Sequence, residues 1–452
     1  MEAIYQKFCD AVEDRKQMIL DAERYIWKHP EAGYKEWKTH AYLKEQFEKL
    51  GYKLTEFGNI PGFYTDVETG RPGPKVAVFG ELDALIIPSH PEADPENGCV
   101  HACGHNCQAA GLLGVAIALK GEGALDALCG SIRLIAVPAE EFIDVEFRED
   151  LRRQGKIRYL GGKVELIYRG ILEGVDLAML VHASSSQKYS VSCNDGSNGC
   201  IVKKATFIGK SAHAGGSPHL GRNALYAAQT AMNAANALRE TFRDDDHIRF
   251  HPIITDGGAV VNAIPDRVVV ESYIRGATMD AIAKTNEKIN RAFAAAAAAF
   301  GCRVILDDQN GYAPRYNDPD FVDTFREASV LFFPDSEINL GGWGSGCSDL
   351  GDVSTLIPAI HPNVSGAAGS GHGTDYYITD PVKATVTSAK IQAVTLAKLL
   401  ENGAARANRI IANKKVTYGS REEYLAAIDA LNHSFDAVSY DEKGDVALRF
   451  HS

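Results

Sequence analysis

Three short, mainly apolar runs stand out in the first half of the chain: Lys75–Phe79, Ser131–Val137 and Leu177–Val181. Such runs, bounded by polar residues, are typical of strands buried on both faces of a parallel sheet. Apolar residues recur at helical spacing over residues 1–50, on both sides of a turn, and again over residues 382–401. The pattern therefore predicts an α/β fold in which helices cover a largely parallel sheet.

Each predicted strand is followed by side chains that can bind metals or transfer protons. Asp83 follows the first strand and His182 the third, while Glu140 and Glu141 follow the second. Ligands bind at the carboxyl ends of the strands in open α/β sheets. One such residue alone could be a helix cap or a surface carboxylate. Their coincidence at one edge predicts a functional site.

The segment 98–110 adds a thiol and an imidazole to this edge. Cys103 and His105 are separated only by Gly104, so that both side chains can reach one point. A sulfur and a nitrogen ligand suit Zn²⁺ or a similar divalent metal. Free cysteines are also common as small buried residues, so this segment alone is compatible with either interpretation.

The pattern changes at residue 193. Between residues 193 and 308, strands and helices follow the order β-α-β-β-α-β of the ferredoxin-like fold. We therefore expect an inserted domain at 193–308, flanked by the two parts of a first domain at 1–192 and 309–452. The last 40-odd residues form a charged extension with a predicted helix around residues 421–431.

Composition limits the classes of partner. The chain has 452 residues and a net charge of −12, which argues against nucleic acid or an anionic membrane as the main partner. No apolar stretch reaches the length of about 18 residues that a membrane span requires. The first residues show no signal-peptide pattern. The nine cysteines lack framework spacing, which predicts reduced thiols and a cytoplasmic location.

A set of motifs, taken in order, resembles the aminoacylase, carboxypeptidase G and hippurate hydrolase superfamily of two-metal amidohydrolases. They are Gly-Glu-Leu-Asp-Ala-Leu, His-Ala-Cys-Gly-His, Pro-Ala-Glu-Glu, Gly-Lys-Ser-Ala-His-Ala and a late Gly-His-Gly. The run Cys-Ser-Asp-Leu-Gly-Asp-Val-Ser is most similar to the aminobenzoyl-glutamate hydrolase branch. The resemblance covers the chain up to about residue 400. It implies a mixed-sheet, aminopeptidase-like catalytic domain with an inserted ferredoxin-like lid or dimerisation domain.

The resemblance also implies the metal ligands. They would hold two divalent ions, Zn²⁺ or Mn²⁺, bridged by a thiolate. The implied ligands are Cys103, His105, Glu141, His182 and His372.

Further roles follow from the same resemblance. Glu140 would be the general base for a metal-activated water, and Asp83 would orient a ligand. His213 and Asn262 would hold the carbonyl oxygen or the substrate carboxylate, in some members across a dimer. Arg275 would contact the substrate carboxylate.

We therefore expect an enzyme that hydrolyses N-acyl amino acids or related small amides and forms a homodimer or higher oligomer. A dipeptidase of the same fold and a non-catalytic metal-containing binding protein are the alternatives.

Three neighbours of the motifs depart from the family pattern: Asn106 stands where many relatives have Asp, Gln108 where they often have His, and Cys107 is an additional thiol. A basic run beyond Glu141 could form a solvated helix face or attract an anionic substrate. Its members are Arg148, Arg152, Arg153, Lys156 and Arg158.

Overall fold

The structure, a computed structural model, describes residues 2–451. The chain divides into two compact units. The first comprises residues 2–196, 315–343 and 348–421, and the second comprises residues 197–314, 344–347 and 422–451. Among the described residues, no helix combines the length and apolar character needed to cross a bilayer.

The helices in chain order are Ala3–Asp14 (α1), Lys16–Trp27 (α2), Trp37–Lys49 (α3), His105–Ala118 (α4), Val145–Arg153 (α5), Gly162–Tyr168 (α6), Ala224–Ala237 (α7), Met279–Ala299 (α8), Pro319–Ser329 (α9), Leu350–Ser354 (α10), Ser388–Ala412 (α11) and Arg421–Asp429 (α12). A π-helical segment, Val382–Thr387, precedes α11, and the backbone of α11 leaves helical geometry at residues 401–404.

The strands are Thr55–Glu56 (β1), Phe63–Glu68 (β2), Lys75–Glu81 (β3), Leu85–Ile86 (β4), Cys99–Val100 (β5), Ser131–Val137 (β6), Leu177–Leu180 (β7), His182–Ser184 (β8), Val191–Cys193 (β9), Gly196–Ser197 (β10), Gly199–Ile208 (β11), Arg249–Asp256 (β12), Arg267–Gly276 (β13), Arg303–Asn310 (β14), Arg315–Tyr316 (β15), Ile338–Leu340 (β16), Trp343–Gly344 (β17), Ala359–Ile360 (β18), Asn363–Ser365 (β19), Ala367–Ala368 (β20), Tyr377–Ile378 (β21), His433–Tyr440 (β22) and Val446–Leu448 (β23).

The main sheet of the first unit has the order β1-β2-β6-β3-β7-β18. Strand β3 pairs in parallel with both β6 and β7, whereas β2 runs antiparallel to β6, so the sheet is mixed. The three apolar runs of the sequence are the three adjacent central strands, β6, β3 and β7. Their carboxyl ends therefore meet at one edge, as the pattern predicts.

Helix α4 packs against β3 and is buried along its whole length. The close approach depends on Gly80, because a Cβ atom there would lie 2.9 Å from Leu112 Cβ and 3.1 Å from the carbonyl oxygen of Gln108. The small residues of α4 and the glycine of β3 thus set the distance between helix and sheet. This packing fixes the beginning of α4, which carries His105, against the end of β3.

The second unit contains the ferredoxin-like arrangement that the sequence predicts. Its sheet has the order β12-β13-β11-β14-β22-β23, with every neighbouring pair antiparallel. Helix α7 buries Ala224, Ala227, Ala228, Ala231 and Ala235, a spacing that forms one helix face. That face and α8 contact the strands of the same sheet.

The C-terminal extension corrects our assignment of residues 309–452 to one domain. Residues 422–451 belong to the second unit, where β22 pairs with β14 and β23 pairs with β22. Strand β22 alternates buried residues such as Phe435 and Ala437 with exposed ones, which suits an added strand with one covered face. The predicted helix of the extension exists as α12, but the sequence analysis missed both strands.

Candidate metal centre

Cys103 lies in the turn between β5 and α4, and His105 is the first residue of α4. Gly104 between them has a φ of 88°, in the left-handed region that favours glycine. A Cβ at Gly104 would lie 2.5 Å from the Tyr376 hydroxyl and 3.1 Å from Ala183 Cβ. Glycine therefore lets the turn bring the thiol and the imidazole together.

Two groups of potential ligands share Cys103. In each group the ligand atoms lie within 4.8 Å of one another. The first group is Cys103, His105 and His182, and the second is Cys103, Glu141 and His372. A shared sulfur between two groups of nitrogen and oxygen donors is the arrangement expected for two divalent ions bridged by a thiolate.

Asp83 orients His105. Nδ1 of His105 lies 2.9 Å from the carbonyl oxygen of Asp83 and 3.2 Å from its Oδ1, which leaves Nε2 on the side of the ligands. The other carboxylate oxygen of Asp83 accepts a hydrogen bond of 2.8 Å from the backbone N–H of Glu141. Burial alone would raise the pKa of Asp83, but the hydrogen bond and charge of His105, with the hydrogen bond from Glu141 and the charge of Arg148, together outweigh it and lower the pKa to about 2. A carboxylate behind a ligating histidine is a common way of fixing its tautomer.

Different neighbours orient His182, at the end of a central strand, and His372, in a loop late in the chain. His182 Nδ1 lies 2.5 Å from the carbonyl oxygen of Ala183, and its Nε2 lies 3.3 Å from Cys103 Sγ. His372 has a φ of 64°, and its Nε2 lies 3.2 Å from Glu141 Oε1. The backbone N–H of His372 donates to Ala102, next to Cys103.

The loop that carries the adjacent carboxylates is fixed from several sides. Ala139 has a φ of 56°, and its N–H donates to Glu36 Oε1 at 2.8 Å. The fully buried Arg148 donates to the carbonyl oxygen of Glu141. Glu140, only 7% exposed, has its Oε2 3.9 Å from His105 Nε2. Burial, together with Glu81 and Glu141, raises the pKa of Glu140 well above its usual range.

The residues present fit a metal pair. Among the described residues, His105 Nε2 and Glu81 Oε2 are buried without a hydrogen-bond partner, although they lie 3.2 Å apart. Buried polar atoms left in this state are uncommon, and a bound ion is one of their explanations. The donors are sulfur, imidazole nitrogen and carboxylate oxygen. Zn²⁺ binds all three kinds of donor, and Mn²⁺ prefers the carboxylate oxygens.

Comparisons with known proteins show what the chain is similar to. Residues 195–300 match the family model described as the peptidase dimerisation domain. The chain is 28% identical to a Xaa-Arg dipeptidase of Mus musculus, over 80% of this chain and 80% of that protein. It is 30% identical to a subunit of the p-aminobenzoyl-glutamate hydrolase of Escherichia coli, over 62% of this chain and 55% of that protein.

A solved structure from Bacillus subtilis, described as a dinuclear metal-binding peptidase of the M20 family, is similar at a TM-score of 0.67. It is 19% identical, and the match covers 86% of this chain and 99% of that one. These similarities support the M20 amidohydrolase and carboxypeptidase superfamily as the group that this chain resembles. The resemblance inferred from the motifs is confirmed, as is the fold of a catalytic domain with a dimerisation domain. Members of this superfamily are hydrolases that act on amide bonds.

The remaining predicted residues of this M20 hydrolase lie in the second unit. His213 and Asn262 are exposed neighbours, since His213 bridges to Ala263 and the N–H of Ala214 donates to the carbonyl oxygen of Asn262. Nδ1 of His213 accepts hydrogen bonds from two following backbone amides, which leaves Nε2 to carry the ring proton. Arg275 lies on β13. Their roles toward the metal centre stay predictions.

Sequence reasoning missed a buried ion triad beside the metal centre. Lys163 Nζ lies 2.5 Å from Glu81 Oε1 and 2.5 Å from Asp349 Oδ1, and all three side chains are buried. Glu81 also forms a third potential ligand group with His105 and Glu140. The signal available in the sequence was the position of Glu81 at the end of a buried strand, two residues before Asp83.

The departures from the family pattern have structural explanations in part. Asn106 Nδ2 donates a hydrogen bond of 2.8 Å to the buried Glu23, so an aspartate at 106 would face another carboxylate. Cys107 is buried and contacts Ala183 and Ala384. Nothing in the structure explains Gln108.

The basic run is not a uniform solvated face. Arg148 is 0% exposed and belongs to the support of the Glu140–Glu141 loop, whereas the side chain of Arg152 is 41% exposed and pairs with Glu149. One helix therefore carries a structural arginine and an exposed one.

Proposed function

We propose that this M20 hydrolase cleaves the amide bond of N-acyl amino acids or related small peptide-like amides, including substrates of the aminobenzoyl-glutamate type. The observation that carries the proposal is the position of Glu140. It lies beside His105 but outside both ligand groups that share Cys103. A buried carboxylate next to a metal pair, and not consumed as one of its main ligands, suits a general base.

The five proposed ligands would hold two divalent ions, Zn²⁺ or Mn²⁺. They are Cys103, His105, Glu141, His182 and His372. When bound, the ions lower the pKa of water and so supply a nucleophile at neutral pH. Asp83 keeps His105 Nε2 directed at the ligand group through two contacts at Nδ1.

Glu140 would accept the proton of the attacking water and then deliver it to the leaving amine. Burial raises its pKa above the usual range of a glutamate, which is the direction in which enzymes shift a carboxylate that acts as both base and acid. The backbone of the loop is held by Glu36 and Arg148, so the carboxylate has a fixed starting position.

The second unit would supply the contacts to the substrate. Nε2–H of His213 and the side-chain amide of Asn262 are donors that could stabilise the developing oxyanion or hold the substrate carboxylate. Arg275 would bind the carboxylate of the amino-acid part, since a guanidinium binds carboxylates in a bidentate manner.

Self-association is part of the proposal. The matched dimerisation domain supports it, as does an exposed apolar set in the second unit. This set is Leu220, Tyr226, Ile253, Val260 and Val261, each more than half exposed. Size-exclusion chromatography with light scattering is expected to give a homodimer or higher oligomer, and a monomer mass would contradict it. Nine free cysteines support the cytoplasmic location that we propose.

A dipeptidase is the second candidate, because the Xaa-Arg dipeptidase is similar over 80% of its own length. Such an enzyme would act on a free α-amine in place of an acyl group. A non-catalytic binding protein is not supported, because it would have no use for a carboxylate in the position of Glu140.

A substrate panel tests the proposal. Metal-free protein reloaded with Mn²⁺ or Zn²⁺ would be offered N-acetyl amino acids, aminobenzoyl-glutamate and dipeptides, with mass spectrometry to identify the products. We expect metal-dependent cleavage of the N-acylated substrates. Cleavage of dipeptides alone would favour the second candidate, and no cleavage with two ions bound would contradict both.

A further inference from the structure

The second unit contains two cysteines whose thiols are hydrogen bonded to each other. Cys200 lies near the beginning of β11, and Cys347 lies in the short stretch 344–347 of the same unit. Both are free thiols. They are separated by more than a hundred positions along the chain, so the fold alone brings them together.

Arg275 completes this cluster. The backbone N–H and carbonyl oxygen of Cys200 both form hydrogen bonds with Tyr312, at 2.7 and 3.1 Å. Cys200 therefore has no backbone hydrogen bond to Arg275, which lies opposite it on the neighbouring antiparallel strand, and the two residues form a non-hydrogen-bonded pair. Side chains approach most closely in such pairs. Nη1 of Arg275 lies 3.5 Å from Cys347 Sγ. One guanidinium therefore lies beside two sulfur atoms.

These surroundings favour thiol chemistry. A neighbouring cation and a hydrogen bond both stabilise a thiolate, which is the reactive form. The hydrogen bond with Cys347 lowers the pKa of Cys200, and Arg275 acts in the same direction, whereas the same hydrogen bond raises the pKa of Cys347. Cys200 is therefore the thiol that reacts first. Cys200 is 5% exposed whereas Cys347 is half-buried, so a small oxidant can reach the pair while a large protein thiol cannot.

The backbone near Cys347 permits the small adjustment that disulfide geometry requires. Gly346 precedes it, and no atom beyond its chain neighbours lies within 4 Å of the position that a Cβ there would take. A disulfide needs Cβ atoms about 3.5–4.5 Å apart and a defined torsion, so freedom on one side of the pair matters.

We propose that Cys200 and Cys347 form a redox modification site that closes to an intrachain disulfide with hydrogen peroxide as the oxidant. One thiolate attacks a peroxide oxygen, which breaks the O–O bond, releases hydroxide and leaves a sulfenic acid. The second thiolate then attacks that sulfur and displaces its hydroxyl group, which leaves as water after protonation. In total two thiols and one peroxide give one disulfide and two waters. The thiols lose two electrons and two protons.

Peptide mapping of the metal-loaded protein tests this proposal. After treatment with a few equivalents of hydrogen peroxide, free thiols would be alkylated and the protein digested without reductant. We expect a peptide pair joining Cys200 to Cys347 that disappears after dithiothreitol. Peroxide treatment that leaves both residues alkylated as thiols, or that joins either of them to another cysteine, overturns the proposal.

Two variants sharpen the result. In Cys347→Ser the cross-link must be absent, and Cys200 must appear as an alkylated thiol or a sulfenic acid. In Cys302→Ser the cross-link must persist, because Cys302 is a buried cysteine of the same unit whose thiol bonds to the carbonyl oxygen of Phe300. The wild-type digest is decisive without either variant, and it does not depend on the substrate of the enzyme.

Discussion

Within residues 2–451, each unit buries one lysine completely, and the surroundings of the two lysines differ. In the first unit Lys163 lies between two carboxylates, Glu81 and Asp349, each at 2.5 Å. In the second unit Lys203 pairs with a single carboxylate, Asp308. Both networks are buried, but only the first adjoins the ligand groups that share Cys103.

The two pKa shifts express this difference. Burial lowers the pKa of Lys203, and its one carboxylate does not offset the effect. Burial acts on Lys163 in the same direction, but Asp349 and Glu81 outweigh it and raise the pKa. Around the metal centre, the carboxylates outnumber the one lysine that could balance their charge. In the second unit, one lysine pairs with one carboxylate, so the two charges of that network balance. Buried charge alone therefore does not identify a metal site. The identifying feature is an excess of carboxylates that lies beside imidazoles and a thiol.

The substitution with the largest expected effect is at the metal centre of the first unit. Glu140→Gln should lower kcat by about 10²–10⁴-fold, the usual contribution of a general base, while both ions stay bound. Steady-state kinetics and metal analysis of the purified variant measure the two quantities. Asp308→Asn in the other network is the matched control and should leave kcat of the folded protein unchanged. If Glu140→Gln keeps more than about a tenth of the activity, the base is assigned to the wrong residue.

The two lysines provide the second test. Lys163→Met and Lys203→Met each leave buried carboxylates without their cation, which typically lowers the free energy of unfolding by about 3–5 kcal/mol. Only Lys163→Met should also reduce kcat, because Lys163 fixes Glu81 beside His105. Denaturant unfolding and kinetics on the folded fraction separate the effects. A matching loss of kcat in Lys203→Met would remove the distinction between the two networks.

The third test uses two arginines of one helix. Arg148→Met leaves the carbonyl oxygen of Leu160 without its donor, which costs about 1–3 kcal/mol. It also removes one of the two donors to the carbonyl oxygen of Glu141, the other being the N–H of Ile143, and should lower kcat by releasing the Glu140 loop. Arg152→Met removes the pair between the exposed Arg152 and the half-buried Glu149, and should change stability by about 1 kcal/mol or less, with kcat unchanged. Equal effects of the two substitutions on kcat would show that Arg148 does not hold the loop.

The smallest expected effect is a pH dependence of opposite sign in the two regions, measured on metal-free protein. Burial opposes ionisation of Asp308, but the bonds from His433 and Lys203 outweigh it and lower its pKa. Its stabilising effect is therefore present above about pH 4, the usual pKa of aspartate, and is lost as the pH falls further.

Glu140 behaves in the opposite way, because its pKa is raised. Its ionisation destabilises the metal-free fold increasingly as the pH rises above about 4.3, the usual pKa of glutamate. Unfolding curves between pH 3 and 8 give the free energy of unfolding of each protein. The difference between wild type and Asp308→Asn should grow with pH in favour of wild type. The difference between wild type and Glu140→Gln should change in the opposite direction, to the disadvantage of wild type. Parallel trends in the two comparisons would contradict the assigned shifts.

The sequence was sufficient for features that depend on local pattern. The apolar runs gave β3, β6 and β7, and the polar residues after them are the ones that gather at the sheet edge. The sequence also predicts the two helices of the ferredoxin-like arrangement. Such predictions succeed because burial on both faces of a strand, or on one face of a helix, is written into neighbouring residues.

Features that depend on contacts between distant parts of the chain cannot be predicted from the local pattern of apolar and polar residues. Lys163 and Asp349 are distant in sequence from Glu81, and a lysine after a glycine pair carries no sign that it will be fully buried. The sequence predicts only a charged tail with one helix for the extension, because periodicity does not show that β22 adds to β14 and that β23 adds to β22. Composition does not distinguish one face of a short helix from another, so the sequence does not separate Arg148 from its exposed neighbours.

Anomalous diffraction from crystals grown with Mn²⁺ tests the central claim most directly. We expect two peaks per chain on either side of Cys103, one between His105 and His182 and the other between Glu141 and His372. A single peak within the group of Glu81, His105 and Glu140, or none near Cys103, would contradict the assignment of a thiolate-bridged pair.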